Sequence, residues 1–264
     1  MRSLRRSASR GLLAACACAG MIAGAGVAEA RVVSAAGAER PWQQEWASAS
    51  CASTERLTSI GSPVARGSRA YRFEVRDGDD AYGERCELGH GNPTRAGFPL
   101  FDEGDERWIS WKVYLPRDFP IGTSRWNVIN QWKQLGALGT PALSMEVKNN
   151  RFYLMNSNTN GDSCCTVPRW SGPARHDRWV SFTMHVKFSP NRSVGFVELY
   201  GDLDGRGKKL LRKLHTHTMK SDGSGRAVPS HSRIGIYRDP SIQGTAHIAF
   251  DDYVIATSPP RGLR

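Results

Sequence analysis

The chain has 264 residues, 39% of them hydrophobic, with 36 Lys and Arg against 25 Asp and Glu and a formal net charge of +11. Beyond the N-terminus no stretch is apolar for the roughly 20 residues a spanning helix needs, so no membrane-spanning helix is expected there. Nothing in the remainder suggests a second domain, an internal repeat or a low-complexity segment, and its length suits one large domain with a substantial core.

Arg2, Arg5, Arg6 and Arg10 form a basic start, Leu12 to Val27 is an apolar run, and Ala28-Glu29-Ala30 is a small-x-small cleavage site. Residues 1–30 therefore read as a secretory signal peptide, and the protein is expected to be secreted. Two rival readings stay open, Leu13-Ala14-Ala15-Cys16 as a lipoprotein cleavage box and Arg5-Arg6 as a twin-arginine signal. Processing removes four arginines and one glutamate, leaving a mature charge of about +8. A surplus of that size steers polyanions, and among these export argues against nucleic acid. The alternative is a basic surface that is merely solvated.

Residues 31–50, rich in Ala, Ser and Gly, are expected to be a flexible lead-in, with the folded domain occupying 51–264. Cys51, Cys86, Cys164 and Cys165 survive processing. Two disulfides with three possible pairings follow for an oxidising compartment, with a buried free thiol at Cys86 as the competing reading. From Arg69 onward, short alternating runs recur between turn residues: Tyr71 to Val75, Trp108 to Leu115, Asn127 to Lys133, Leu143 to Val147 and Arg151 to Met155. The pattern continues at Trp179 to Phe188, Gly195 to Tyr200, Arg233 to Tyr237 and His247 to Ala256, with hairpin turns at Asn149-Asn150 and Asp202 to Gly207. No stretch keeps a helical period, so the fold class is all-β, a jelly-roll sandwich of antiparallel strands. His215 and His217 share a strand face but lack a third metal ligand and are expected to be solvated. Trp111 and Trp132 are expected in the core, and Lys208 to Lys213 on a solvated edge.

Side chains at i and i+2 of a strand share a face. In Glu84-Arg85-Cys86-Glu87-Leu88, Arg85 and Glu87 point one way and Cys86 and Leu88 toward the core. In Val128 to Lys133, Gln131 and Lys133 share a face, and Asn130 points to the other. In Arg233-Ile234-Gly235-Ile236-Tyr237, Arg233 and Tyr237 oppose the two isoleucines, with Gly235 expected to leave open space. One sheet carrying all three strands would present a concave face suited to a carboxylated sugar.

These segments, with Trp111 to Pro120 and Phe250-Asp251-Asp252-Tyr253-Val254, resemble the jelly-roll polysaccharide lyases, above all the heparin lyase I and glucuronan lyase group, and more distantly alginate lyases. The resemblance runs from about Arg69 to Thr257. It implies β-elimination at a 4-linked uronic acid: the carboxylate is neutralised, the C5 proton removed, and O4 protonated. By resemblance Gln131 neutralises the carboxylate with help from Arg85, and Tyr237 is the catalytic tyrosine, donating to O4 and acting also as base. Lys133 stands where the heparin and alginate relatives carry histidine, and a lysine is protonated at neutral pH unless buried or crowded by positive charge. Either Tyr237 then performs both proton transfers with Lys133 as electrostatic support, or the cleft binds without cutting. Arg233, Glu87, His90 and Glu146 complete the expected substrate-binding set, His90 as a loop histidine able to swing into the cleft. No cofactor is required, although relatives sometimes hold a structural Ca²⁺, to which Asp251 and Asp252 are the available carboxylates. The expected partner is an acidic polysaccharide and the expected state a monomer. A glycoside hydrolase would need two carboxylic acids flanking the bond, for which only Glu87 and Glu146 present themselves.

Overall fold

A computed structural model describes residues 31–92, 95–136, 139–161, 165–260 and 263. The signal peptide reading and Cys164 lie outside the described residues. Two antiparallel sheets face each other across one apolar core. The first runs β10 (Thr166–Pro173), β9 (Arg151–Ser157), β8 (Leu143–Lys148), β7 (Asn127–Gln134), β16 (Ser230–Arg238), β5 (Arg85–Gly89) and β2 (Ser48–Cys51). The second runs β13 (Lys209–His215), β12 (Phe196–Asp202), β11 (Trp179–Lys187), β6 (Glu106–Tyr114), β17 (Ala246–Ala256), β4 (Ala70–Val75) and β3 (Leu57–Ile60), with β1 (Val32–Ala36) also paired to β17. A short helix α1 (Trp42–Glu45), a 3-10 turn at Thr54–Arg56 and the two-residue pair of β14 (Lys220–Ser221) and β15 (Ala227–Val228) complete the regular structure among the described residues. This is the expected jelly-roll sandwich.

Alternation builds the core. Trp111 on β6 and Trp132 on β7 are fully buried and meet across the sheets at 5.6 Å between ring centroids, as expected of both. Asn149 and Asn150 turn β8 into β9 with φ of 50° and 57°, the left-handed pair a two-residue hairpin requires. Asp202 closes the β12–β13 turn by accepting the backbone N–H of Gly205 and Gly207 at 2.7 and 3.2 Å.

Residues 31–50 are no flexible lead-in. Val32–Ala36 pairs with β17, Ser48–Cys51 pairs with β5, and Trp46 between them is fully buried. Glu45, also buried, accepts the N–H of Gly37 and Ala38 and the hydroxyl of Tyr71 at 2.6 Å. Small side chains misled the composition argument, since order here comes from pairing with strands distant in sequence. Cys51 and Cys86 stand opposite each other on β2 and β5 and form a disulfide, which removes the free-thiol reading of Cys86.

Candidate active site

The outer face of the first sheet carries the three predicted strands as neighbours, in the order β7, β16, β5. One row of side chains crosses it as Tyr153, Glu146, Val128, Tyr237 and Arg85. A second holds Met155, Ser144, Gln131, Arg233 and Gly89. Lys133 and His231 stand opposite each other in a third. A bulge in β7 between Val128 and Asn130 keeps Gln131 outward while Ile129 and Asn130 both turn into the core.

Glu87 ties the first two rows together. Its carboxylate is 1% exposed and accepts Gln131 Nε2 at 2.5 Å. Arg85 Nη1 lies 3.3 Å and Arg233 Nε 3.5 Å from its second oxygen. Arg233 also donates to Ser50 Oγ at 2.8 Å, so edge strand β2 helps to fix it. The Arg85 guanidinium continues the chain of contacts, lying 3.6 Å from the centroid of the Tyr237 ring and donating from Nη2 to the Tyr82 carbonyl at 2.5 Å. Trp126 meets the same phenol edge-on at 4.8 Å. Two guanidiniums around one buried carboxylate leave a net positive charge beside the half-buried Tyr237, and an anion on this face would be drawn to it.

Gly235 does not leave open space. A Cβ there would fall 2.1 Å from the Cys86 carbonyl oxygen and 2.8 Å from Glu87 Cα, and its φ is +139°. Glycine at this point lets the β5 backbone close against β16, which brings Arg85 and Glu87 into the cluster.

Other expectations are redistributed. Lys133 is half-buried, its ammonium donates to the Gly139 carbonyl, and it stands five residues along β7 from Val128, roughly 16 Å from the Tyr237 row. The cation beside Tyr237 is thus Arg85, and electrostatic support of the phenol by Lys133 is not what the geometry provides. His90 is 1% exposed and faces the core, stacked on Trp46 at 4.2 Å. Gly89 takes the outward position, so alternation turns His90 inward, and burial with the nearby His231 pushes its pKa down to about 3. It cannot swing to the sugar face. Glu87 orients the two arginines and Gln131 from beneath. Glu146, 4% exposed, is held by Lys148 at 2.9 Å. His217 is fully buried against Ser157 Oγ at 2.9 Å, contrary to its solvated expectation, whereas His215 is exposed.

His231 escaped the sequence reading, although the i, i+2 rule that selected Arg233 and Tyr237 reaches it directly. It is 5% exposed, and burial with the Arg233 and Lys133 charges pushes its pKa down to about 4, so it is neutral at neutral pH. Ser50 escaped the sequence reading as well, because it acts from the neighbouring strand β2.

Asp251 and Asp252 do not suit Ca²⁺. Asp251 accepts the N–H of Ala65, Arg66 and Asp252, and Asp252 pairs with Arg66 and Lys112, so donors and cations already occupy both carboxylates. An open hollow of about 420 Å³ lies elsewhere, between α1 and β3, where Glu39, Arg40, Trp42, Leu57, Arg69 and Tyr71 line it. There Tyr71 donates to the buried Glu45, and Glu39 accepts the backbone N–H of Ser68 and Arg69, so these groups tie the N-terminal segment to the sandwich.

No curated protein sequence matches the chain significantly. Among solved structures, the chain is similar to an endo-β-1,4-glucuronan lyase from the fungus Trichoderma reesei, at 14% identity and TM-score 0.61, covering 81% of this chain and 91% of that one. A PL-14 alginate lyase from Aplysia kurodai follows at 13% identity and TM-score 0.53, covering 77% and 88%. The catalytic domain of a glycoside hydrolase family 131 protein from Coprinopsis cinerea shares the fold at 10% identity and TM-score 0.52, covering 80% and 83%. Lyases and a hydrolase thus share this sandwich, and fold alone does not choose between them. The family model described as polysaccharide lyase does, matching residues 36–254, and the chain belongs to that family.

Proposed function

We propose that the protein is a secreted lyase that cleaves a 4-linked, uronic-acid-containing polysaccharide by β-elimination. The observation that carries this reading is the contact chain Tyr237–Arg85–Glu87–Gln131/Arg233, which gathers a half-buried phenol, two half-buried guanidiniums and the buried Gln131 amide on the outer side of one sheet. The difficult step is loss of a proton beside an ionised carboxylate, which needs positive charge where the enolate develops. Arg85 and Arg233, prepositioned by Glu87, supply that charge, and the Gln131 amide is held beside them. Tyr237 is the proton-transfer group: it delivers a proton to the departing O4 and, in its phenolate form, takes the proton from C5. Arg85 lies 3.6 Å from the centroid of the Tyr237 ring, a cation set against the group that passes the proton. The disulfide and the net positive charge accord with an exported protein acting on an acidic polymer.

The test is incubation of the purified protein with glucuronan, heparin, heparan sulfate, alginate and hyaluronan, following the ultraviolet absorbance of the unsaturated product. A rise on one of them is expected. No rise on any, with one polymer retained in affinity electrophoresis, would replace cleavage by binding.

A further inference from the structure

The loop between β4 and β5 is stiff at its base. Asp79 accepts Arg56 Nε at 2.7 Å and the Arg76 N–H at 2.9 Å, and Glu84 accepts Arg238 Nε at 2.8 Å and the Gly78 N–H at 3.1 Å. At its tip Asp80 accepts the Gly83 N–H at 2.8 Å. Between these anchors stands Tyr82, 91% exposed and the most exposed large hydrophobic side chain among the described residues. Its φ is +68°, in the left-handed region that a bulky residue rarely adopts and that glycine or asparagine would fill without strain. An aromatic ring in water and a left-handed tyrosine are two unfavourable choices at one position, and nothing in the packing requires either.

Tyr82 is also tied to the reacting face. Its carbonyl accepts Arg85 Nη2, from the guanidinium that covers Tyr237. The next residue, Gly83, lies so close to Tyr237 that an added Cβ would be 3.1 Å from the ring. The loop therefore forms a wall at the Tyr237 end of the face, with its one large ring left bare in solvent.

We infer that Tyr82 is a stacking platform for a sugar ring of the polymer outside the bond being cut, so that this loop forms a binding subsite. The C–H face of a pyranose covers an aromatic ring, and strain at the loop tip holds that ring ready for it. Charged sugars further along the chain meet Arg85 and Arg233, while Tyr82 reads ring shape without regard to charge. The inference rests on the lyase reading for its kinetic form and on polymer binding alone for its simplest form.

The experiment compares wild type with Tyr82→Ala, Tyr82→Phe and Tyr82→Trp, on the cleaved polymer and its size-fractionated oligomers. Tyr82→Ala should raise KM about fivefold on polymer and long oligomers, the fold equivalent of one lost aromatic contact. It should leave kcat and the melting temperature unchanged and have no effect on the shortest oligomer cut, while Phe and Trp restore wild-type KM. A fall in kcat with KM unchanged, an equal loss at every length, or no change at all would overturn the platform. Affinity electrophoresis of the same variants separates the two readings. If wild type is retained by a polymer it does not cut, the lyase reading falls, and weaker retention of Tyr82→Ala still supports the platform while equal retention removes it. A wild type that neither cuts nor is retained removes both.

Discussion

Replacing Glu87 by Gln keeps the shape of the side chain and removes the charge on which the cluster is built. The carboxylate is 1% exposed, with guanidinium nitrogens at 3.3 and 3.5 Å. At the effective dielectric constant of about 20 that suits such sites, each pair attracts by about 5 kcal/mol before desolvation is subtracted. Breaking a buried pair by removing one partner costs about 3–5 kcal/mol. The two arginine side chains are 12% and 16% exposed, so water recovers part of that loss, and a net destabilisation of about 2–3 kcal/mol is expected. For a domain of this size that is a fall of about 5–10 °C in melting temperature. The new amide would keep only a neutral carbonyl oxygen toward the guanidiniums and turn its N–H2 against the Gln131 amide, loosening Arg85 and displacing Gln131, so kcat/KM should fall about a hundredfold or more, as when an electrostatic donor is lost. Thermal unfolding with initial rates at saturating and limiting polymer measures both effects. A Glu87→Gln protein with wild-type melting and wild-type turnover would refute the argument that this carboxylate organises the site.

Further outcomes follow from the same geometry. Tyr237→Phe should abolish formation of the unsaturated product while retention by the polymer in affinity electrophoresis is unchanged; residual turnover at the wild-type rate would take the phenol out of the chemistry. Replacing Cys51 and Cys86 together by Ser opens a loop of 35 residues and should cost about 4 kcal/mol by chain entropy, read as a lower urea midpoint. Because Cys86 lies between Arg85 and Glu87, activity should fall in parallel, and a variant with unaltered rate would show that β5 holds its place without the crosslink. Stability should also decline as pH falls from about 6.5 toward 4. His90, His217 and His231 have folded pKa values pushed down to about 3, 4 and 4 from 6.5. The unfolded chain therefore binds protons first in that window and gains by several kcal/mol in total. Burial leads in each case. His231 also faces Arg233 and Lys133, His90 faces His231, and His217 faces Arg192, Lys220 and Arg169. Urea unfolding at a series of pH values checks this, and a flat profile between pH 6.5 and 4 would contradict it.

Most of the sandwich was legible because its strands alternate against one core. Trp179 to Phe188 appears as β11 and His247 to Ala256 as β17, each within a residue or so of the expected bounds. The polar face was legible for the same reason, since Arg85, Gln131, Arg233 and Tyr237 alternate with buried Cys86, Trp132, Ile234 and Ile236. What alternation does not encode is distance along a strand. It placed Lys133 with Gln131 on one face but not its separation from Tyr237, which depends on the register between β7 and β16. Nor does it identify strands whose residues lack a strong pattern. β1 and β2 are built from Ala, Ser and Val with the single Cys51 and are held by β17 and β5, while β10 carries Pro168 and Pro173 on a sheet edge, where a missing N–H costs little. His90 was misread because one residue past the end of a strand still obeys its alternation.

Elimination and hydrolysis on this face would leave fragments of different mass. Exhaustive digestion of the preferred uronic-acid polymer, analysed by mass spectrometry, should yield new non-reducing ends that carry a C4–C5 double bond and are lighter by one water than hydrolytic fragments. Fragments with saturated non-reducing ends, whose summed mass exceeds that of the intact chain by one water per bond cut, would contradict this reading.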